Sequence, residues 1–180
     1  NTMLFGAPMV HFQTPSWCAM VHLNAPGFNV AGMACHGAPG ILIGHNERVA
    51  WATTSSLLNA TDFFEETLNF EDQYQYWHDG AWHDMEVIDW PIQVLGDDGV
   101  LREEPHTVYR TIHGPVVQWD LATHKAYTRA TPFRHLELES MMAFVDINMA
   151  TNLGDIENAV RQVATTHNFF AADVDGNIGY

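Results

Sequence analysis

Four hydroxyl side chains in a row are the first feature of this sequence that could carry out chemistry. Thr53-Thr54-Ser55-Ser56 follows directly on Val49-Ala50-Trp51-Ala52, an apolar run that predicts a strand. A phosphate-binding loop needs glycines and a lysine before a helix, and this segment has neither. The Gly-x-Ser-x-Gly motif of serine hydrolases does not occur in the sequence, so no nucleophile is predicted here. Two interpretations remain, namely a backbone N–H that stabilises an oxyanion or simply the polar end of a strand.

Histidines and acidic turns are the next candidates, because both can bind metal ions. The sequence has 11 histidines but no His-Glu-x-x-His motif or Cys-x-x-Cys pair for zinc, and His36, His45 and His113 each stand beside a turn glycine. Asn59-Ala60-Thr61-Asp62 offers the oxygen donors that calcium accepts, although distant chain would have to complete the site. Asp173-Val174-Asp175-Gly176 lacks the spacing of an EF-hand loop and predicts a hairpin turn instead.

The composition indicates a packed globular protein. The 180 residues are 47% hydrophobic and 12% aromatic, enough for one domain with a core or for a piece of a larger one. The formal charge of −15 would repel nucleic acid and anionic membranes, so neither is predicted as a partner. This charge fits cation binding or a merely solvated surface. The sequence shows no signal peptide and no apolar run of transmembrane length.

The elements that must position these residues are mostly strands. Strands are predicted at residues 19–23, 28–33, 41–43, 48–54, 63–68, 85–95, 107–112, 126–130 and 169–173, with a hairpin over residues 77–82. A stripe of apolar residues predicts a helix over 137–149, and a second helix begins at Asn152 or Gly154 and extends through Val163. This order suggests an α+β fold. No repeat or linker marks a boundary, so residues 1–180 are interpreted as a single partial domain.

The two ends and the two cysteines are less informative. The sequence starts at Asn1 on a predicted strand and stops just after a predicted hairpin turn at residues 175–180, so we expect it to be an excerpt of a longer protein. Cys18 and Cys35 both lie in predicted strands. A disulfide, two free thiols and a chance pair are all compatible with this placement.

A set of short segments spans nearly the whole chain in one order. These segments are Ala25-Pro26-Gly27-Phe28-Asn29-Val30-Ala31-Gly32, Gly37-Ala38-Pro39-Gly40, Ile43-Gly44-His45-Asn46, Val49-Ala50-Trp51, Thr61-Asp62-Phe63-Phe64-Glu65-Glu66, Tyr109-Arg110-Thr111-Ile112-His113-Gly114-Pro115-Val116-Val117 and Ala172-Asp173-Val174-Asp175-Gly176-Asn177-Ile178-Gly179-Tyr180. Together they resemble the β-subunit of the penicillin acylase family, and Gly6-Ala7-Pro8 looks most similar to the penicillin G acylases. The resemblance implies part of a four-layer αββα N-terminal nucleophile hydrolase fold, mostly antiparallel β-sheet with two helices near the C-terminal end.

The resemblance also implies a mechanism. Enzymes of this family are cut from a precursor so that a serine becomes the first residue of the β-subunit, and its own α-amine acts as the base. That serine would lie upstream of Asn1, so the chain alone is expected to be inactive. The resemblance assigns the backbone N–H of Ser55 to the oxyanion hole. It assigns Asn59, Thr61 and Asp62 to a structural calcium (Ca²⁺) site.

The acyl group of the substrate is expected to bind among eight residues. Six match pocket positions of the family: Pro8, Val10, Trp17, Ile43, Thr53 and Phe144. Met9 and His167 are pocket positions that depart from the family, because they replace a glutamine and an apolar residue. Asn59 stands where the family has an acidic residue, which removes one charge from the calcium site. The departures at Met9 and His167 argue against specificity for a phenylacetyl group.

The sequence therefore predicts an amidohydrolase that cleaves a linear amide between an apolar acyl group and a polar amine, such as a β-lactam nucleus or a homoserine lactone. The implied partners are an α-subunit and the remainder of the β-subunit of the same self-processed precursor, in the periplasm or outside the cell. The alternative is a non-catalytic, β-rich, calcium-dependent binding or adhesive module with exposed tryptophans.

Overall fold

A computed structural model describes residues 2–11 and 13–180, in two compact units. One unit combines Asn1–Leu58 with Phe133–Tyr180, and the other is Asn59–Pro132. In chain order the elements are β1 (Cys18–Ala25), β2 (Phe28–Cys35), β3 (Ile43–His45), β4 (Val49–Ser55), β5 (Asp62–Thr67), β6 (Gln75–His78), β7 (Ala81–Asp84), β8 (Glu86–Asp89), β9 (Ile92–Leu95), β10 (Leu101–Glu104), β11 (Thr107–Arg110), β12 (Val116–Asp120), β13 (Lys125–Ala130), α1 (Glu137–Met149), α2 (Leu153–Val160), β14 (His167–Asp173) and β15 (Ile178–Gly179).

The first unit contains one antiparallel sheet in the order β1-β2-β3-β4-β14-β15. Side chains alternate between its two faces. On one face, which we call the helix face, Val30, Trp51 and Ala171 pack against Phe144 and Ile147 of α1 in the main hydrophobic core. The opposite face carries alternate residues such as Met33 and Ala52, and we call it the cavity face.

Two paired glycines bring β2 and β3 close together. A Cβ on Gly32 would lie 2.2 Å from the Ile43 carbonyl oxygen, and one on Gly44 would lie 2.2 Å from the Ala31 carbonyl oxygen. The Ile41 side chain, fully buried, covers the space above them. Asn148 of α1 holds this turn, because its Oδ1 accepts a hydrogen bond from the Ile41 N–H at 2.7 Å and its Nδ2 donates to the Ile41 carbonyl at 2.8 Å.

Both predicted helices are present. The predicted helix over 137–149 matches the bounds of α1. The second, α2, begins after Asn152, whose side chain accepts a hydrogen bond from the Asp155 N–H as an N-cap, and it ends before Val163. The single strand predicted over 85–95 is wrong, since β8 and β9 pair with different partners on either side of Trp90-Pro91. Proline cannot donate to a sheet ladder, which explains the break.

The second unit consists of one three-stranded sheet, β12-β13-β5, and three two-stranded ones, β10-β9, β11-β8 and β6-β7. Leu68, Tyr76, Met85 and Ala126 form its small core. No helix among the described residues is long and apolar enough to cross a membrane.

A buried carboxylate joins two segments of this unit. Glu66, 3% exposed, accepts hydrogen bonds from the hydroxyls of Thr111 and Thr128 at 2.6 and 2.9 Å, and its Oε1 lies 2.9 Å from His113 Nδ1. The His113 ring stacks on Phe64 with centroids 4.1 Å apart. Burial of a carboxylate is tolerated when donors surround it in this way.

Candidate active site

A cavity of about 530 Å³ lies in the first unit, beside the C-terminal end of β4. Its lining is mostly apolar, with hydroxyl, thiol and imidazole groups at some positions. The lining residues are Phe5, Gly6, Ala7, Pro8, Met9, Val10, Trp17, Met33, Cys35, Leu42, Ile43, Ala52, Thr53, Thr54, Ser55, His167 and Phe170. Such a lining suits an apolar ligand that also carries a polar group to be fixed in position.

Residues 2–11, which precede β1, have no regular secondary structure, and Phe5 to Val10 form one wall of this cavity. The start of this segment is held by Thr2, whose hydroxyl donates to the Asp173 carbonyl. Gly6 then crosses the cavity face so closely that a Cβ there would lie 3.0 Å from the Ala52 Cβ and 3.2 Å from the Ile43 Cγ2. Because glycine allows this approach, the next residues reach the cavity, and Pro8 is among those that line it.

The backbone N–H of Ser55 is directed away from β14. In the β4–β14 ladder, Ser56 N–H donates to the Thr166 carbonyl and Val174 N–H donates to the Arg48 carbonyl, both at 2.9 Å. The even-numbered residues of β4 therefore bond to β14, and Ser55, opposite His167, is in a non-hydrogen-bonded pair. Its N–H consequently points to the side of β3.

On that side no residue of β3 lies opposite Ser55. β3 pairs with β4 only at Gly44–Trp51 and His45–Ala50. The chain before β3 turns inwards at Ile41, where Asn148 binds both the N–H and the carbonyl group. The short length of β3 thus leaves the Ser55 N–H facing the end of the cavity rather than a neighbouring strand.

His167 lies across the ladder from Ser55. Its Nδ1 is 2.9 Å from the Thr165 hydroxyl, and its ring meets Phe169 edge-on with centroids 6.5 Å apart. His167 is exposed, and partial desolvation of its ring lowers its pKa from the ordinary value. The imidazole is therefore neutral near pH 7, so the cavity carries a hydrogen-bonding group there without a charge.

The structure brings most of the predicted pocket residues together. The cavity is lined by Ser55 and by seven of the predicted substrate-binding residues, which are Pro8, Met9, Val10, Trp17, Ile43, Thr53 and His167. Phe144 is placed elsewhere. It is buried in the core on the helix face, with its ring centroid 6.2 Å from that of Phe169, because the apolar stripe of α1 faces the sheet.

Several cavity residues were not predicted from the sequence. Met33 and Cys35 alternate along β2 and so share the cavity face with Ile43, which pairs with Met33. The period of two in β2 is the signal that identifies them. Phe5 carries no such signal, because its position depends on an irregular segment.

The predicted calcium ligands lie together in the second unit, at the start of β5. Asn59, Thr61 and Asp62 are all exposed, and Asp62 pairs with Ala130 in the sheet. Their oxygens are of the kind that calcium binds, but they include one carboxylate and fall short of the six to eight ligands it takes. Among residues 2–11 and 13–180, no three His, Cys, Asp or Glu side chains are grouped so as to hold a metal ion.

Comparisons with known proteins define the class of protein. The sequence matches the penicillin amidase family over residues 1–180. It is 30% identical to the penicillin G acylase of Escherichia coli over 180 residues, which is 100% of this chain and 21% of that protein. It is 28% identical to the acyl-homoserine lactone acylase PvdQ of Pseudomonas fluorescens over 147 residues, 79% of this chain and 19% of that one.

A solved structure agrees with the sequence relatives. The thermostable penicillin G acylase from Alcaligenes faecalis superposes with a TM-score of 0.82 at 32% identity, covering 93% of this chain and 30% of that chain. The chain belongs to the penicillin amidase family. The predicted fold class is confirmed by this match, since the sheets are mostly antiparallel with two helices as in an N-terminal nucleophile hydrolase. The chain spans about a fifth of the length of the curated relatives it matches.

Proposed function

We propose that this chain forms the acyl-binding part of an acylase that hydrolyses a linear amide between an apolar acyl group and a polar amine. The named relatives are acylases of two kinds, one for penicillin G and one for acyl-homoserine lactones. The amine of the substrate would accordingly be a β-lactam nucleus or a homoserine lactone. The apolar lining of the cavity supports an acyl chain or ring as the other half of the substrate.

The orientation of the Ser55 N–H is the observation that carries this proposal. When a nucleophile attacks the amide carbonyl, the oxygen becomes negatively charged, and a donor already aimed at it lowers the barrier. The Ser55 N–H is directed away from β14 at the end of an apolar cavity. The Ser55 side chain is not required for this role, since the donor belongs to the backbone.

The nucleophile itself would be an N-terminal serine upstream of Asn1. Its α-amine would take the hydroxyl proton, the serine oxygen would add to the carbonyl, and the amine would leave with a proton. Water would then release the acyl group. We further propose that the parent precursor processes itself into an α-subunit and a β-subunit, and that the enzyme acts in the periplasm or outside the cell.

Proline substitution at position 55 tests the oxyanion role, because proline has no backbone N–H. The complete reading frame is expressed, its conversion into two chains is followed on a gel, and turnover is measured on a panel of acyl amides. Ser55→Ala, which keeps the N–H, is expected to retain turnover. Ser55→Pro is expected to lower kcat by about 100-fold to 1,000-fold.

Circular dichroism and the melting temperature verify that the two Ser55 variants are folded and processed alike. Equal turnover by folded Ser55→Pro and Ser55→Ala would refute the assignment of the donor. An intact precursor that hydrolyses none of the amides would refute the acylase proposal as a whole, and calcium-dependent ligand binding by that precursor would favour the binding-module alternative.

A further inference from the structure

Cys18 and Cys35 are the two cysteines of the chain and face each other at the open end of the first hairpin. The hairpin closes at its other end with a two-residue turn between the paired residues Ala25 and Phe28. Counting from that hydrogen-bonded pair, every second pair is non-hydrogen-bonded, and Cys18–Cys35 is one of these. The next pair agrees, because the His36 N–H donates to the Trp17 carbonyl.

This register suits a covalent link. Directly opposed residues in a non-hydrogen-bonded pair have Cα atoms about 4.5 Å apart, within the roughly 4.4–6.8 Å found for disulfides. Both cysteines are partly buried on the cavity face, and their sulfur atoms lie 2.7 Å apart. No backbone movement is needed to join them.

We propose that Cys18 and Cys35 form a disulfide in the mature protein and that this disulfide fixes β1 beside the cavity. Among residues 2–11 and 13–180, β1 is the edge strand of its sheet, and β2 alone pairs with it. Trp17 and Cys35 both line the cavity. The turn restrains one end of the hairpin, and the disulfide would restrain the other end, where the cavity wall is.

The chemistry requires an oxidant, and a disulfide such as oxidised glutathione is sufficient. The Cys18 thiolate attacks one oxidant sulfur and releases one glutathione thiolate, giving a mixed disulfide. The Cys35 thiolate then attacks the Cys18 sulfur and releases the second. Two protons and two electrons leave the protein, and the oxidant becomes two thiols.

The surroundings of Cys35 favour the oxidised form. Burial, together with the adjacent Cys18 thiol, raises the pKa of the Cys35 thiol to about 11. A thiolate that the protein does not stabilise is a poor leaving group, so reduction of the disulfide is disfavoured. The second exchange step is slow for the same reason, which makes this a structural link rather than a rapidly cycling one.

Peptide mapping tests the link directly. The protein from the complete reading frame is incubated with oxidised glutathione, denatured, alkylated with iodoacetamide without reduction, and digested. Trypsin cannot separate the cysteines, because no Lys or Arg lies between them. Chymotrypsin cleaves after aromatic residues such as Phe28. We expect a cross-linked pair of peptides, two hydrogen masses lighter than their sum, that separates on reduction.

Two other mapping results would overturn the proposal. These are carbamidomethyl groups on both cysteines, or glutathione retained on either one. In the control variant Cys18→Ser no cross-link can form, and Cys35 must be recovered alkylated or bound to glutathione.

Thermal unfolding provides a second measurement, for which we use the double variant Cys18→Val/Cys35→Val. Reduction is expected to lower the melting temperature of the oxidised wild type by about 5 °C or more, because the link no longer restricts the unfolded chain. The same reductant should leave the double variant unchanged. Equal responses of the two proteins would contradict a stabilising disulfide. These tests do not depend on the acylase activity, so the two proposals can fail separately.

Discussion

His167 shows how one side chain can set the preference of the cavity for its ligand. It lines the cavity, and partial desolvation lowers its pKa, so the ring is neutral near pH 7 and gains a proton only below its ordinary value of about 6.5. A proton there would place a positive charge against an apolar acyl group. Acidification should therefore weaken the binding of apolar substrates before it affects the fold.

Replacement of His167 by Leu should remove this dependence on pH. We expect KM for an apolar acyl amide to rise about tenfold in the wild type as the pH falls from 7 to below the pKa of His167, and to stay level in His167→Leu. Steady-state kinetics across this pH range provide the measurement. His22, on β1 and outside the cavity lining, serves as the control through His22→Leu, which should behave as the wild type does. A rise in KM that persists in His167→Leu would contradict the assignment.

We expect acid to destabilise the protein by protonating Asp173. It is 2% exposed and accepts hydrogen bonds from the side chain and N–H of Asn177, the N–H of Leu153 and the N–H of Asp175. These bonds, those of Asn177 above all, hold the pKa of Asp173 below its usual range. A lowered pKa gives stability that is complete above the unfolded value of about 3.9 and is lost as the pH falls through the folded value.

The corresponding variant is Asp173→Asn. It should be less stable than the wild type at pH 7, because the hydrogen bonds lose a charged acceptor, and its melting temperature should fall less steeply on acidification below about pH 4. Asp175→Asn, which loses an exposed ion pair with Arg48, should retain the acid sensitivity of the wild type. If the melting temperatures of the wild type and Asp173→Asn fell equally steeply on acidification, another group would be responsible for the acid sensitivity.

At the scale of elements, β2 and β3 can lie close together because glycines occupy their facing positions. Gly32 has φ +151°, and a Cβ there would overlap the Ile43 carbonyl oxygen at 2.2 Å and Gly44 Cα at 2.6 Å. Gly32→Ala should therefore destabilise the protein by about 3 kcal/mol, measured by denaturant unfolding. Gly27→Ala is the control, since Gly27 also has positive φ but open space around its Cβ position, and it should cost only about 1 kcal/mol. Equal losses would mean that backbone strain rather than overlap decides the effect.

The stability of the second unit depends on the buried carboxylate of Glu66. Glu66→Ala would leave the buried hydroxyls of Thr111 and Thr128 and the ring of His113 without their acceptor. We expect a loss of about 3 kcal/mol in unfolding free energy. Glu65→Ala, which removes the adjacent exposed carboxylate paired with Lys125, should have little effect. Hydrogen exchange of the amides around Thr128 would locate the change, and unaltered exchange in Glu66→Ala would contradict it.

The elements with strong local patterns could be predicted from the sequence, and those fixed by distant contacts could not. The helix over 137–149 follows from its apolar stripe, and the hairpin over 77–82 follows from Asp79-Gly80. Strand β10 was missed because Leu101–Glu104 is short and exposed and carries no apolar alternation. Strand β12 was missed because its five residues include a register shift between Val116 and Gln118, which interrupts the period of two.

The candidate site shows the same division. The resemblance to the family predicted most of the pocket residues that line the cavity, but it did not predict the direction of the Ser55 N–H. That direction matters only because β3 starts as late as Ile43, and its start is fixed by hydrogen bonds between Ile41 and Asn148, 107 positions apart in the sequence. Phe144 was assigned to the pocket by resemblance to the family, and its apolar character fits the core in which it lies as well as it would fit a cavity.

At the scale of the whole molecule, the net charge of −15 determines how calcium binding must be tested. So acidic a surface attracts any divalent cation, and only a local site distinguishes calcium. Salt at about 0.15 M screens interactions beyond roughly 8 Å and so suppresses the general attraction. Binding that survives this salt is due to coordination by neighbouring oxygens.

We propose that calcium binds weakly at Asn59, Thr61 and Asp62, because this set has a single carboxylate. With the protein from the complete reading frame in about 0.15 M salt, Asn59→Asp should tighten calcium binding about tenfold in a calorimetric titration, since it adds a charged oxygen ligand. Asp62→Asn should abolish binding, while Asp97→Asn, an exposed change of the same net charge, should not alter it. If Asp97→Asn weakened calcium binding as much as Asp62→Asn, the cation would be responding to the overall charge and not to residues 59–62.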